Sequence, residues 1–329
     1  MDEYSDLLCA SVSGAGNDRR LGGNEAPPAI ISIFLGELLT DLLTEIETGG
    51  ESAFRQGGSL QIGVTTIPNL PKDVSDRNRT SPFAFTGNKF EFRMVGSSMS
   101  IADCNTVMNT IVAETLSKIA DRMENSVDLN AETRDIIRDV MRGHKRIIFN
   151  GNNYSKEWRD EAERRGLQTM DCAVDSAKAL ISPKNIALME RHGVLSRKEL
   201  EARYEIRQEN YSKVLNIEAQ TMIEMSKREI TPAVIKYIAF MAKSLNDVKA
   251  TGLAVDISVQ AGLLKDVSAG SAKFKAVQAK LEKTLEKAPD MEDAVVRAEY
   301  FNAKVLPLMD ELRESVDRLE VMMGDEFWP

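Results

Sequence analysis

The sequence predicts an α+β protein in which strands are confined to the first part of the chain and the remainder is helical. Up to about residue 124, apolar helical stripes alternate with short strand-like stretches, such as KFEFR at 89–93 with its period of two. Beyond that point strand signals nearly vanish, and charged segments with apolar residues at helical spacing take over. We therefore predict two domains, 1–124 with mixed structure and 125–329 that is all-helical.

Turn residues divide the first domain into predicted elements. In chain order these are the end of a helix at 4–12, a glycine-rich loop at 13–24, a helix at 29–48, a strand and loop at 57–71, a strand at 89–93 and a helix at 101–123. Pro27-Pro28 precedes the 29–48 helix and Gly49-Gly50 ends it, as proline and glycine favour. The 101–123 helix is expected to bury an apolar stripe, namely Ile101, Val107, Met108, Ile111, Val112, Leu116 and Ile119.

The second domain is predicted to be a succession of helices. They lie at 131–147, 155–166, 170–180, 184–192, 197–228, 232–250, 258–287 and 291–323. Prolines near three of the helix starts, at 183, 232 and 289, occupy positions that a helix tolerates. The last two segments carry facing apolar residues and predict an antiparallel helical hairpin, with Pro307 kinking its second helix.

Composition argues against several classes of function. The 329 residues include 42 Lys and Arg against 51 Asp and Glu, and the net charge of −9 argues against general nucleic-acid binding. Because there are only two histidines, a metal would need carboxylate ligands, which suits magnesium or manganese. Cys9, Cys104 and Cys172 are far apart and fit reduced thiols in a cytoplasmic protein. No apolar run reaches membrane-spanning length, so we expect no membrane partner.

Positive charge is concentrated around one glutamate in the stretch DRNRTSPFAFTGNKFEFR at 76–93. Arg77, Arg79, Lys89 and Arg93 surround Glu91 in sequence. In a strand, alternation places Lys89, Glu91 and Arg93 on one face and the phenylalanines on the other. A strand that lines a ligand-binding cleft has this pattern, and so has an ordinary surface strand. The pattern alone leaves both interpretations open.

Three segments resemble the glutamine synthetase family. They are RLGGNEAPPAIISIFLG at 20–36, NRTSPFAFTGNKFEFR at 78–93 and RIIFNGNNYS at 146–155, and they are similar to the type III branch with its long helical C-terminal extension. The resemblance identifies 1–124 as the C-terminal part of the catalytic domain, built of antiparallel sheet and helices, and 125–329 as the helical extension.

The activity that this resemblance implies is the ATP-dependent ligation of ammonia to L-glutamate, which gives L-glutamine through a γ-glutamyl phosphate. It further implies two magnesium or manganese ions and a large ring-based, cytoplasmic homo-oligomer with active sites at subunit interfaces. No nucleic-acid partner is implied.

The resemblance also implies roles for five residues. Glu25 matches the glutamate of a mobile flap that helps accept the ammonium proton, and Arg20 matches an arginine that binds substrate glutamate. Arg79 matches the arginine of an NRS motif that contacts the transferring phosphoryl group, for which a delocalised guanidinium charge is suited. Glu91 matches a ligand of one catalytic metal, and Arg93 matches an arginine that grips the substrate carboxylate. Arg77 and Lys89 are weaker candidates, expected only to add positive charge around the site.

The sequence departs from the family pattern at several points. Many bacterial relatives carry a further arginine shortly after the NRS motif, where this chain has Ala84 or Phe85, and Cys9 lies where we expect arginine in type III relatives. The earlier β-grasp domain and the other metal carboxylates are absent from the chain. Either the chain is a fragment of a longer enzyme and is inactive alone, or it is a true short protein that lacks activity or completes its site with another chain. The alternative function is a non-catalytic helical assembly or regulatory module.

Overall fold

The chain is built on a small mixed sheet with helices in its first part and on packed helices in its second. The computed structural model describes residues 1–23, 26–49, 59–60, 70–71 and 78–329, with only the backbone described at 59–60 and 70–71. Two compact units are formed, Met1–Tyr204 and Glu205–Pro329. The described residues are mostly helical and include a three-stranded sheet, so the predicted α+β class is confirmed. The domain boundary predicted at residue 124 stays a prediction.

The helices and strands are numbered in chain order. The α-helices are α1 Ser5–Val12, α2 Ala15–Arg20, α3 Gly36–Thr48, α4 Ala102–Glu124, α5 Leu129–His144, α6 Lys156–Arg164, α7 Ala173–Ser176, α8 Pro183–Arg191, α9 Arg197–Met225, α10 Thr231–Ala250, α11 Ser258–Leu285, α12 Ala294–Tyr300 and α13 Leu306–Met322. The strands are β1 Ile33–Phe34, β2 Ser59–Leu60, β3 Leu70–Pro71, β4 Phe83–Phe85 and β5 Phe90–Phe92. None of the helices in the described part of the chain combines the length and the apolar character that a membrane span needs.

The three-stranded sheet has the order β1-β4-β5. Strand β1 runs parallel to β4, with Ile33 opposite Phe83, and β4 runs antiparallel to β5, with Ala84 opposite Glu91. The strand predicted at 89–93 is therefore confirmed. Strands β2 and β3 form a separate antiparallel pair within the region predicted as strand and loop, and the other residues of 57–71 lie outside the described part of the chain.

The helix predicted at 29–48 is wrong in its first seven residues. Helix α3 begins only at Gly36, and Ile33–Phe34 is a strand. Ile30, Ile31 and Phe34 are each at most 2% exposed, so this apolar run is buried rather than lying on one face of an amphipathic helix. A short buried run cannot be assigned to helix or strand from its period, and pairing with β4 decides it here. The end of the helix is as predicted, with Gly49 in the left-handed conformation at φ 83°.

Helix α4 matches the prediction in length but not in its buried face. Val107 and Ile111 are buried as expected, whereas Ile101, Val112 and Leu116 are 63%, 46% and 59% exposed. The buried face instead carries Cys104, Thr110 and Glu114. Glu114 is 2% exposed and is paired with residues at the end of helix α8, and this polar contact was not expected from an apolar stripe.

The second unit contains the predicted helical hairpin. Helix α11 runs antiparallel to the segment formed by α12 and α13: the hydroxyl of Tyr300 in α12 donates to the Thr284 carbonyl (2.9 Å) at one end, and Gly270 lies against Leu319 of α13 at the other. Buried apolar side chains fill the interface, among them Phe274, Leu281 and Leu312. The contacts confirm the hairpin.

Two prolines in the second unit are each preceded by a π-helical segment. Ser226–Ile230 lies before Pro232, and Phe301–Val305 lies before Pro307. Because proline lacks an N–H and its ring collides with the carbonyl four residues earlier, the wider π turn makes room for it. The predicted distortion at Pro307 therefore takes the form of a π segment.

Candidate active site

The charged face of strand β5 is formed as the alternation predicts. Arg93 donates from Nη2 (2.9 Å) and from Nε (3.2 Å) to Oε2 of Glu91, and Lys89 Nζ lies 3.4 Å from Glu91 Oε1. Hydrogen bonds from Arg93, and then from Lys89, hold the pKa of Glu91 below its ordinary value. The Glu91 side chain keeps 37% of its surface exposed, so an ionised carboxylate is presented to solvent between two cations.

The aromatic face of β5 lies on the other side of the sheet. The ring of Phe90 stacks on Phe83 and is tilted against Phe85, with ring centroids 5.1 Å apart in both cases. A cavity of about 410 Å³ lies on this side, lined by Phe83 and Phe90 and by residues of helices α4 and α5. Phe90 is 48% exposed, so the aromatic face of β5 is only partly buried.

Arg20 is fixed against the end of β5. Its Nη1 donates to the Met94 carbonyl (3.0 Å) and to Oδ1 of Asn17 (3.1 Å). Asn17 is 5% exposed, and its Nδ2 donates to the same Met94 carbonyl (3.0 Å) and to the Val12 carbonyl (2.6 Å). Arg20 is thereby anchored one residue beyond Arg93, although 74 residues separate it from Met94 in sequence.

Arg79 is tied to the same region through the backbone of its neighbour. Arg93 donates from Nη1 to the carbonyl of Asn78, the residue before Arg79. Arg79 itself is exposed. The structure therefore places Arg20, Glu91 and Arg93 at one end of β5 and bonds Arg93 to the backbone beside Arg79, so that four of the five predicted site residues belong to one region.

Glu25, the fifth predicted site residue, lies outside the described residues, as does Arg77. The described residues on either side of it form the base of a loop. Leu21 and Ala26 form a bridge, and the N–H of Gly22 donates to the Ala26 carbonyl (3.1 Å). Gly22 has φ 80°, a conformation that favours glycine.

Comparison with known proteins returns the family that the three motifs resemble. A family model described as the glutamine synthetase C-terminal domain matches residues 132–249. A glutamine synthetase of Butyrivibrio fibrisolvens is 37% identical over 99% of the chain, and a type-3 glutamine synthetase of Dictyostelium discoideum is 36% identical over the whole chain. A glutamine synthetase of Bacteroides fragilis is 31% identical over 98% of it.

This chain is related to glutamine synthetases. It spans about half the length of these relatives, 47% of the first and 46% of each of the others. The resemblance drawn from the three motifs is confirmed.

Ala84 and Cys9, two residues at which the sequence departs from the glutamine synthetase pattern, are both buried. Ala84 is 1% exposed and lies directly opposite Glu91, so a small methyl group occupies the neighbouring strand where many bacterial relatives are expected to have an arginine. Cys9 is 3% exposed, and burial raises the pKa of its thiol to about 12, so the thiol stays protonated.

The third resembling motif, RIIFNGNNYS, has a structural role that sequence reasoning did not foresee. Ile148 bridges to Ile33 of β1, and Oδ1 of Asn150 accepts hydrogen bonds from the N–H groups of Leu35 (3.1 Å) and Gly36 (3.2 Å) at the start of helix α3. The repeated asparagines of the motif were the available signal, since asparagine often bonds to backbone groups of loops and helix starts.

The described residues supply only part of the ligand set that a divalent metal needs. Within the described ranges of the chain, no cluster of three or more His, Cys, Asp or Glu side chains could hold an ion. Glu91 is ionised and exposed enough to act as one ligand, but a two-metal site needs several carboxylates. The described residues therefore do not by themselves fit the two-metal centre of a glutamine synthetase.

Proposed function

We propose that this chain supplies one part of a glutamine synthetase active site, the part that holds glutamate and the transferring phosphoryl group. The reaction is the ATP-dependent ligation of ammonia to L-glutamate through a γ-glutamyl phosphate. The observation that carries the proposal is the Arg93–Glu91 pair, with Arg20 anchored at the Met94 carbonyl and Arg93 bonded to the backbone of Asn78 beside Arg79. Arginines in this region suit glutamate, which has two carboxylates, and the phosphoryl group of ATP, since guanidinium binds both kinds of anion bidentately.

Each residue has a distinct role in this proposal. Arg93 and Arg20 orient the glutamate carboxylate, and Arg79 spreads the negative charge that develops on the phosphoryl group. An oxygen of Glu91 would coordinate one magnesium or manganese ion, whose other ligands come from outside the described residues. The bound ion would neutralise phosphate charge. Glu25 accepts the proton of ammonium.

The exposure of the site and its incomplete set of metal ligands fit a site that other residues complete. Glu91 and Arg79 are both accessible, and the described residues offer one carboxylate where a two-metal centre needs several. We propose that the missing ligands come from a preceding part of the same polypeptide or from another subunit of a cytoplasmic homo-oligomer.

A fusion protein tests the proposed reaction. The part of the Butyrivibrio fibrisolvens relative that lies outside the aligned region is joined to this chain, and glutamine formation from glutamate, ammonia and ATP is measured. We expect activity that depends on magnesium or manganese. In the fusion, Glu25→Ala should abolish synthesis and retain ATP binding, and unchanged synthesis would refute the proton-acceptor role. A well-folded fusion with no activity would count against the proposed function.

The mass of the native polypeptide decides where the missing ligands lie. An antibody against the second unit would detect a band well above 36.5 kDa if the chain is part of a complete enzyme. A band at 36.5 kDa would mean that another chain has to complete the site.

A second candidate function, a helical assembly module, rests on an apolar stripe along helix α9. Ile206, Val214, Ile217 and Met225 are 41–64% exposed. Ile206 and Ile217, and likewise Val214 and Met225, are eleven residues apart, which is close to three turns of helix. Exposed apolar side chains on one stripe favour contact with another protein surface, and sedimentation of the isolated chain before and after Ile217→Lys tests this. An unchanged oligomeric state would exclude the stripe from assembly.

A further inference from the structure

The loop that carries Arg79 is folded by its own asparagine. Oδ1 of Asn78 accepts hydrogen bonds from the N–H groups of Thr80 (2.8 Å) and Ser81 (3.0 Å), and also from the Thr80 hydroxyl (2.9 Å). An asparagine that bonds to backbone groups two and three residues later makes a tight turn. Arg79 lies inside this turn, so the direction in which its side chain leaves the backbone depends on these bonds.

The folded loop is attached to the sheet by a second asparagine. Asn153 is 1% exposed; its N–H donates to the Thr80 hydroxyl oxygen (3.0 Å), and its Nδ2 donates to the hydroxyl of Ser32 (2.8 Å). Ser32 is fully buried and directly precedes strand β1. A further bond runs from Asn78 Nδ2 to the Gly151 carbonyl (3.1 Å). The loop is thus connected through Asn153 to a fixed, buried point of the fold.

We propose that Asn153 and Thr80 are positioning residues that set the Arg79 loop for contact with the transferring phosphoryl group. The inference deepens the proposed function and rests on it. Neither residue is proposed to contact the substrate. They act through Arg79, whose guanidinium would otherwise lie on an exposed loop with many accessible conformations. Fixing such a group before the reaction removes an entropic cost from the transition state, and small displacements of a charged group weaken its effect strongly.

The other contacts of the RIIFNGNNYS motif support this role. The RIIFNGNNYS segment uses Asn150 to hold the start of helix α3, Ile148 to bridge to β1 and Asn153 to hold the Arg79 loop. One segment therefore contacts β1, the start of helix α3 and the Arg79 loop. Within it, Asn153 joins the loop through its backbone N–H and joins the residue before β1 through its side-chain amide.

Thr80 offers a matched pair of substitutions. Thr80→Val keeps the shape of the side chain and removes the hydroxyl that accepts from Asn153, whereas Thr80→Ser keeps the hydroxyl. Thr133→Val is the control, because it also removes a hydroxyl hydrogen bond, to the Leu129 carbonyl (2.6 Å), but on the exposed surface of helix α5. The first readout is amide hydrogen exchange of peptides 78–85 and 149–155 in the chain itself. We expect exchange to be about tenfold faster in Thr80→Val and unchanged in Thr80→Ser and Thr133→Val.

The second readout is glutamine synthesis by the fusion protein described above. Thr80→Val should lower kcat by about 10-fold to 100-fold with little change in KM for glutamate, and Thr80→Ser should restore kcat. Faster exchange with unchanged kcat would overturn the positioning role and leave the proposed function intact. Unchanged exchange in Thr80→Val would overturn the hydrogen-bonded attachment itself. A fusion in which the parent sequence makes no glutamine would contradict the proposed function, and with it the role of Asn153 in catalysis, while the exchange result still decides whether the attachment exists.

Discussion

Each of the two units of this chain is stabilised internally by a different kind of contact. In Met1–Tyr204, polar bonds join residues that are far apart in sequence: Asn17 to Met94 and Asn153 to Ser32 are separated by 77 and 121 residues. In Glu205–Pro329, apolar helix packing dominates, and ion pairs such as Glu209–Lys213 and Arg313–Asp317 lie within one helix turn. The comparison suggests that the first unit fixes the geometry of a site, whereas the second unit is a helical scaffold.

The largest expected effect is on the apolar core of the second unit. Phe274 is fully buried in the α11–α13 hairpin, so Phe274→Ala should lower the free energy of unfolding by about 4 kcal/mol. Chemical denaturation monitored by circular dichroism measures this. Val296→Ala is the control, because Val296 is 53% exposed and should change stability by less than about 0.5 kcal/mol. Equal effects of the two substitutions would contradict the description of the hairpin as a packed core.

A buried carboxylate gives the corresponding test of the first unit. Glu114 accepts a bond from Arg191 and lies 2.9 Å from Nε2 of His192 and 3.3 Å from Nζ of Lys118. Burial raises the pKa of Glu114, but these partners outweigh it and hold the pKa below the ordinary value.

Removing that carboxylate should be costly. Glu114→Ala should lower the free energy of unfolding by about 2 to 3 kcal/mol, since the partly buried His192 loses its partner, whereas Lys118 keeps Glu3 and the exposed Arg191 can reach water. Arg313→Ala, in an exposed pair of the second unit, should cost less than about 0.5 kcal/mol. Similar values for the two variants in thermal denaturation would remove the proposed difference between the units.

We expect the stability of the first unit to depend on pH through the titration of Asp18. Burial raises the pKa of this carboxyl to about 7, in spite of a hydrogen bond from the N–H of Ala173 (2.8 Å). Since the folded pKa lies above the unfolded value near 3.8, the contribution is fully present below pH 4 and is lost as the pH rises to about 7. We expect Asp18→Asn to flatten the curve of stability against pH over this window. Parallel curves for the two proteins would show that Asp18 titrates normally.

The smallest expected effect concerns substrate binding. Asn17→Ala removes the side chain that holds Arg20 against Met94, so in the fusion protein the KM for glutamate should rise about tenfold, which corresponds to about 1.4 kcal/mol. The thermal midpoint should be measured in parallel, since Asn17 is buried. A stability loss with no change in KM would mean that Asn17 supports the fold without orienting Arg20.

The same contrast explains which structures could be predicted from the sequence. Helix 258–287 is observed as Ser258–Leu285, and the distortion at Pro307 lies where proline predicts it, because both depend on local periodicity and local backbone chemistry. Strand β5 was predicted for the same reason, since its alternation is local.

The errors and omissions belong to contacts between distant segments. Ile33–Phe34 became a strand because β4 pairs with it, some 50 residues later, and the buried face of helix α4 follows Glu114 and its partners on α8. The attachment of the Arg79 loop by Asn153 depends on a partner 73 residues away. A single sequence contains no spacing rule for such bonds, so only the residue types, and not their partners, were available as a signal.

Glu91→Ala in the fusion protein is the most direct test of whether the charged face of β5 forms part of a glutamine synthetase site. Glu326→Ala, an exposed carboxylate near the C-terminus, is the control. We measure glutamine formation as a function of magnesium or manganese concentration. We expect Glu91→Ala to lower metal-dependent synthesis by at least about 100-fold, while the control and the parent fusion behave alike. Metal-dependent turnover near the parent level in Glu91→Ala would contradict the assignment of Glu91 as a metal ligand.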